Sequence, residues 1–259
     1  MRNERILGVI PARLGSERLP GKPLHPLAGR PLLEWVWRRV ASFETLDAVV
    51  VATDAAEIVA ACESWGARVE LTSIAHESGT ARIGEIVAQT EYSAYDVVVN
   101  VQGDEPFIEE SHVAAAIEQV RQGFDIGTVA APVGTVEAWR DPSVVKVTRR
   151  ADGAALYFSR SPIPYLRDGE PTVDALSSEP YLRHIGLYAY RPAVPARWAS
   201  LPTAPLEAIE RLEQLRALWA GLSIGVGVVG AAAGGVDTLA DVAWAEQRLR
   251  ELQAEDAIR

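Results

Sequence analysis

Three cations, Arg13, Arg18 and Lys22, fall within one short stretch, GVIPARLGSERLPGKPL, at residues 8–24. Gly15 and Gly21 stand among them with Pro20 and Pro23, so the segment reads as a loop whose backbone N–H groups can approach a bound anion closely. Arginine and lysine neutralise phosphate or carboxylate charge, and a loop of this kind behind a first strand is where open α/β sheets hold ligands. The spacing is not that of a P-loop, because Gly15 lies seven residues from Lys22 and Pro23 follows the lysine. The G-x-G-x-x-G dinucleotide fingerprint is missing too. Two acids complete the set. Asp104, in VNVQGDEP, comes directly after an apolar run, with Gly103 allowing a sharp exit and Pro106 stopping the strand. Asp237, in GGVDT, precedes a helical pattern, where capping is its bland role. Carboxylates at such a place can hold a divalent cation against a phosphorylated ligand. Glu105 neighbours Asp104 and is expected to point elsewhere along the turn.

A second group of residues has the chemistry to read a polar or acidic molecule. In YLRHIGLYAYR, strand alternation puts Arg183, Ile185 and Leu187 on one face and His184, Gly186, Tyr188 and Tyr190 on the other. His184 and Tyr188 could then reach one ligand together, although a lone histidine is more often structural. In PLEAIERLEQLRALW, the apolar Leu206, Ile209, Leu212 and Trp219 recur at helical spacing and are expected to pack. Glu210, Glu213 and Gln214 fall on another arc, where carboxylate and amide groups suit sugar hydroxyls unless that face is merely solvated. Arg160, in YFSRSPIP, is a cation of the type an acidic ligand needs. Ser78, Gly79 and Arg82, in HESGTAR, sit where a helix should start, so Ser78 or Thr80 is also a capping candidate.

These residues need a frame, and the hydrophobic pattern supplies one. ILGVIP (6–11), AVVVATD (48–54), ARVEL (67–71) and DVVVNV (96–101) are short apolar runs of the kind that parallel strands require when both faces are covered. Between them, 31–43 reads as a helix with Pro31 at its first position, and 55–66 as a helix ending at Gly66. The alternation predicts an α/β fold: a Rossmann-like, doubly wound and mostly parallel sheet. From 126 to 190 the runs IGTVAAPV, VVKVTRR, AALYFSR and HIGLYAYR follow one another without convincing helices, which predicts an antiparallel excursion or sheet extension. A helix over 205–221, a strand over 222–230 and a final helix over 236–253 return to the α/β style. The 259 residues carry no repeat or linker pattern, so one domain over 1–259 is expected.

Composition narrows the function. A net charge of −10 argues against a nucleic-acid partner, leaving the basic loop to serve one small anionic ligand. No apolar stretch suits a membrane span or a signal peptide, and the single cysteine, Cys62, permits no intrachain disulfide. A cytoplasmic protein without a membrane partner is the expectation.

At the level of motifs the chain resembles a known family. The stretch PAR…SERLPGKPL looks like the nucleotide loop of the cytidylyltransferases that activate acidic sugars, above all the 3-deoxy-manno-octulosonate (Kdo) cytidylyltransferase, or CMP-Kdo synthetase, family. HESGTAR, VNVQGDEP, VVKV, ALYFSRSPIPY, YLRHIGLYAYR, PLEAIERLEQLRALW and GVDT continue the resemblance in order across essentially the whole chain. The resemblance implies a nucleotide-diphospho-sugar transferase type of fold and transfer of CMP from CTP to an acidic acceptor, with release of pyrophosphate. It implies that Asp104 and Asp237 are magnesium ligands, and that Arg13 and Lys22 act with them in catalysis while Arg18 supports the same anionic site. It places CTP against Ala12, Arg13, Arg18, Lys22, Ser78, Gly79, Arg82, Gln102 and Asp104. It places the acceptor against Gln102, Arg160, Arg183, His184, Tyr188, Glu213 and Gln214. Ala81 stands where the family usually has an acidic residue, a departure that touches the base or ribose contacts. Related enzymes look like homodimers, and 126–190 is the expected interface. Kdo is the leading acceptor; a phosphonate such as phosphonoformate is the alternative, and a catalytically silent nucleotide-binding homologue the third reading.

Overall fold

A computed structural model of the chain describes residues 4–16, 18–230 and 234–258. Nine strands make one sheet: β1 (Ile6–Ala12), β2 (Ala48–Thr53), β3 (Val69–Leu71), β4 (Val97–Asn100), β5 (Ile126–Pro132), β6 (Lys146–Arg149), β7 (Ala155–Ser159), β8 (Leu182–Tyr190) and β9 (Ile224–Val228). Its order is β9-β5-β8-β4-β1-β2-β3, with β6 joined to β8 and to β7 off this path. Pairing is parallel from β4 through β1 and β2 to β3, and again between β5 and β9. β8 runs antiparallel between β4 and β5, and β6 pairs antiparallel with β8 and β7. The mostly parallel α/β sheet with an antiparallel insertion is therefore present.

Helices α1 (Leu32–Ala41), α2 (Ala56–Trp65), α3 (Gly79–Ala88) and α4 (Glu110–Arg121) come from the first half of the chain. The short α5 (Val136–Arg140), α6 (Val173–Leu176), α7 (Ala193–Ala199), α8 (Pro205–Glu210) and α9 (Gln214–Trp219) follow, and α10 (Leu239–Ile258) closes the chain. Both faces of the sheet are covered. Leu7 and Val9 enter one core with Val50 and Ala52, while Ile6 and Ile10 enter the other with Val51, Val97 and Val99. That two-sided burial is why these strands are apolar at nearly every position, Thr53 and Asn100 at their ends excepted, each buried Val or Leu contributing about 1.5–3 kcal/mol. No helix among the described residues is long and apolar enough to cross a membrane. Cys62 is buried in one of these cores as a free thiol.

Three expectations need correction. Pro31 precedes α1 with extended backbone instead of opening it. The 126–190 stretch contains the helices α5 and α6, each too short for a periodic signal of its own. The single helix expected over 205–221 is two, α8 and α9, because Arg211 takes a left-handed φ of 53°. Contacts from the end of β7 hold that break: Glu210 accepts from the Ser159 hydroxyl at 2.6 Å and from the Arg160 N–H at 2.9 Å. As a result Ile209 (78% exposed) and Trp219 (62%) do not pack as the helical spacing suggested, whereas Leu212 is buried.

Candidate functional site

The ends of β1 and β4 open into a cleft of about 590 Å³. Two glycines let neighbouring segments close on it. A Cβ on Gly79, at the start of α3, would lie 3.1 Å from the Pro11 ring, and one on Gly103, in the turn after β4, would lie 3.1 Å from the Pro11 carbonyl oxygen. Ten residues singled out above line this cleft together: Ala12, Arg13, Arg18, Lys22, Ser78, Gly79, Arg82, Gln102, Asp104 and Asp237. Segments far apart in the chain thus meet where parallel sheets place ligands.

Lys22 is the hub. Gly21, at φ 64°, turns the chain into a short 3-10 turn over Lys22–Leu24 and aims the lysine inward. Its Nζ makes an ion pair with Asp104 and donates to Asp237 Oδ1 at 2.7 Å, and Arg18 Nη2 reaches the same Asp237 oxygen at 2.9 Å. Burial disfavours the ammonium, yet Asp104 and then Asp237 outweigh it and raise the Lys22 pKa. Asp237 shows the converse: burial works against its charge, but Lys22 and Arg18 hold it below the usual carboxylate range. The Arg18 contact is largely exposed and adds little, while the mostly buried Lys22 pair carries the cluster.

Asp237 does not cap α10. Thr238 Oγ1 accepts from the Asp241 N–H at 3.3 Å, and the Asp241 carboxylate accepts from the N–H groups of Asp237 and Thr238 at 3.0 and 2.8 Å. This reciprocal cap leaves the Asp237 carboxylate to face the cleft. Glu105 does not line the cleft, and a Cβ on Gly235 would sit 3.0 Å from its Oε1. Burial, with Asp104 beside it, pushes the Glu105 carboxyl up to about 8, against the pull of Arg183 and Lys22.

The other cleft residues divide by engagement. Among the described residues Arg13 makes one long contact, from Nη1 to the Glu77 carbonyl at 3.4 Å. Arg82 is buried with its guanidinium on Asp54 at 2.7 Å and on Thr72, so it reaches the cleft as part of a fixed internal ion pair. Ser78 accepts from the Ala81 N–H at 3.2 Å as the cap of α3, while the Ala81 side chain offers no carboxylate. Gln102 donates to Asn100 Oδ1 at 3.4 Å.

Arg160, Arg183, His184, Tyr188, Glu213 and Gln214 do not line this cleft. His184 and Tyr188 do share a face, with ring centroids 5.5 Å apart, and Phe158 stands edge-on to the imidazole at 5.0 Å. His184 Nε2 pairs with the Thr128 hydroxyl at 2.9 Å, and burial pushes its pKa down to about 3, so the ring is neutral at ordinary pH. Glu213 lies behind Ser78 and Thr80, whose hydroxyls favour its charge; burial nevertheless raises its pKa, and Oε1 has no hydrogen-bond partner. Gln214 is buried beside it in the chain. Alternation sends Arg183 to the opposite face of β8, where Glu105 is its charge partner and burial lowers its pKa. The structure gives Arg160 a structural duty: Nε, Nη1 and Nη2 donate to the carbonyls of Glu210, Pro142 and Arg211 at 2.7, 2.9 and 3.4 Å.

Two further lining residues, His76 and Arg211, escaped the sequence reading. His76 Nε2 hydrogen-bonds with the carboxylate of Glu85, nearly two turns into the helix that Ser78 caps; its place in HESGTAR was the available signal. Arg211 had none, because an uninterrupted helical pattern ran through it.

A family model described as cytidylyltransferase matches residues 7–224. The chain belongs to the cytidylyltransferase family. Within it, the curated relatives carry the name 3-deoxy-manno-octulosonate cytidylyltransferase. That of Gemmatimonas aurantiaca is 48% identical over 251 residues, covering 96% of each chain. That of Halorhodospira halophila is 46% identical over 247 residues, covering 93% of this chain and 96% of the relative. A solved structure described as CMP:2-keto-3-deoxy-manno-octonic acid synthetase complexed with CTP superposes with a TM-score of 0.84 at 37% identity, covering 98% of this chain and all of that one. A 4-diphosphocytidyl-2C-methyl-D-erythritol synthase from Anaerococcus prevotii, at 14% identity and TM-score 0.60, shares the fold alone, over 95% of this chain and 99% of its own. This cytidylyltransferase therefore has its α/β frame in common with the CTP-complexed structure over nearly its whole length.

Proposed function

We propose that this cytidylyltransferase transfers CMP from CTP to 3-deoxy-manno-octulosonate and releases pyrophosphate. The observation that carries the reading is the convergence of Arg13, Arg18, Lys22, Asp104 and Asp237 on one cleft, in a chain 48% identical to a relative of that name. The anomeric hydroxyl of the acceptor attacks the α-phosphorus of CTP, and the bond to the β-phosphate oxygen breaks. Arg13 and Lys22 offset charge on the departing pyrophosphate, Lys22 from its place against Asp104 and Asp237. Ser78 and Gly79 let backbone approach a small ring. Glu213, with an oxygen unpartnered, supplies an acceptor for a sugar hydroxyl.

Asp104 and Asp237 would hold Mg2+. The donor set fits it, since the two carboxylates already converge on a single cationic atom, Lys22 Nζ. No group of three or more His, Cys, Asp or Glu among the described residues is placed to hold a metal. Two carboxylates completed by substrate phosphate oxygens is the arrangement Mg2+ favours, and its charge would support phosphoryl transfer. A homodimer through 126–190 accords with Leu156, Tyr165 and Val173 being exposed there; a monomer by light scattering would contradict it.

The deciding experiment is pyrophosphate release with CTP and Mg2+ against a panel of acids. Kdo should be turned over, with CTP preferred to UTP and strongly to ATP. Turnover of a phosphonate with none of Kdo would replace the acceptor, and equal use of ATP would remove the cytidylyl assignment.

A further inference from the structure

An acidic acceptor entering a protein of net charge −10 needs a cation to receive its carboxylate, and the two arginines that the sequence offered for the acceptor, Arg160 and Arg183, are engaged elsewhere. Arg160 donates from all three guanidinium nitrogens to main-chain carbonyls. Arg183 lies on the far face of β8, opposite the His184 and Tyr188 side. His184 is hydrogen-bonded to Thr128 in an aromatic enclosure. Across the cleft, Lys22 and Arg18 already face Asp104 and Asp237.

Arg211 differs from all of these. It lines the cleft, it is exposed, and its guanidinium makes no ion pair or hydrogen bond among the described residues. It stands at the break between α8 and α9, two residues before Glu213. Its φ of 53° costs an arginine about 1–2 kcal/mol relative to ordinary backbone, and strain of this kind persists only where surroundings impose it. The surroundings here are explicit. Its N–H donates to the Glu207 carbonyl at 2.7 Å, and its own carbonyl accepts from Arg160 Nη2. Arg160 and Glu210 together staple the turn to the end of β7, so Arg160 acts as the brace and Arg211 as the group displayed.

We propose that Arg211 is the specificity-determining cation that receives the acceptor's carboxylate, presented by a strained turn that Arg160 holds in place. This rests on the cytidylyl-transfer reading above and names the group that reads the acid. A guanidinium suits the task because its planar fork matches a carboxylate with two parallel hydrogen bonds. Arg160 is then a positioning residue.

The test compares wild type with Arg211→Gly and Arg211→Lys in steady-state kinetics, using Kdo and its methyl ester. Glycine accepts the left-handed backbone, so the fold survives and the melting temperature holds or rises. Arg211→Gly should raise the KM for Kdo about 10–100-fold, the loss for a charged hydrogen bond, and leave the KM for CTP within about twofold. The preference for free acid over methyl ester should collapse, and Arg211→Lys should restore part of it. An unchanged KM for Kdo, an equal loss for acid and ester, or a parallel rise in the KM for CTP would each overturn the assignment. If the wild type ignores Kdo but uses another acid, the proposed function fails by itself; the same comparison with that acid, where an unchanged KM refutes it, then decides Arg211.

Discussion

Around Lys22, four charged side chains from three distant segments meet on one exposed edge of the sheet. Around His184, a neutral imidazole meets Phe158 edge to face and Tyr188 at a tilt, and Tyr188 in turn meets Trp198 edge to face, within the core. The first region works by charge held on loops, with glycines at its closest approaches. The second works by shape and hydrogen bonding in a setting where charge is suppressed: burial drives His184 to its neutral form and raises the Glu213 carboxyl. Under the proposed function, an enzyme that holds a polyanion at one end and a polyhydroxylated acid at the other needs both environments. It keeps them apart by placing one beyond the strand ends and the other on β8 and the turn after α8.

The comparison breaks most sharply at Asp104. Asp104→Asn keeps the side-chain volume and removes the charge that Lys22 and a cation share, so kcat should fall by about a thousand-fold or more with the fold intact. Near-normal turnover of that variant in Mg2+ would remove the charge-based half of the contrast. On the other side, Glu213→Ala should cost about 1–3 kcal/mol in kcat/KM for the acceptor while the KM for CTP stays put. An equal effect on CTP would merge the two regions into one.

Two stability measurements sharpen the contrast further. The folded pKa of His184, about 3, lies below its unfolded value. Below pH ~6.5 the unfolded chain therefore takes up a proton that the native ring refuses, and stability is lost as pH falls through that window, by at most about 1.4 kcal/mol per pH unit. His184→Gln should flatten the acid limb of a plot of melting temperature against pH; an unaltered slope would mean that other groups control it. The smallest effect belongs to Thr238→Ala, which deletes the cap of α10 and should cost about 1 kcal/mol, or roughly 2 °C in Tm for a chain of this size. If activity drops far more than stability, the cap also sets the aim of Asp237.

Local pattern was enough for much of this molecule. The apolar runs at 6–11, 48–54 and 96–101 identified parallel strands because a strand covered on both faces is apolar at nearly every position. The first loop and Asp104 were legible because charge and glycine have few other reasons to recur at strand ends, whereas Asp237 was picked out by the family resemblance. Strand alternation also separated Arg183 from His184 correctly, since the period of two is fixed by backbone geometry.

Other features were set by partners distant in the chain. The helix pattern over 205–221 is locally sound, and only the staple from Ser159 and Arg160 to Glu210 breaks it at Arg211. Arg160 reads as a free cation until the carbonyls of Pro142, Glu210 and Arg211 surround it. Asp237 reads as a helix cap until Asp241 takes that duty. Sequence by itself determined which residue types could carry charge, turns and a two-sided core, because those properties belong to a residue and its near neighbours. Only the tertiary structure decided which charges are engaged and which stand free, because a side chain's partner is chosen by what the fold brings within about 3 Å of it, and that distance has no local signature.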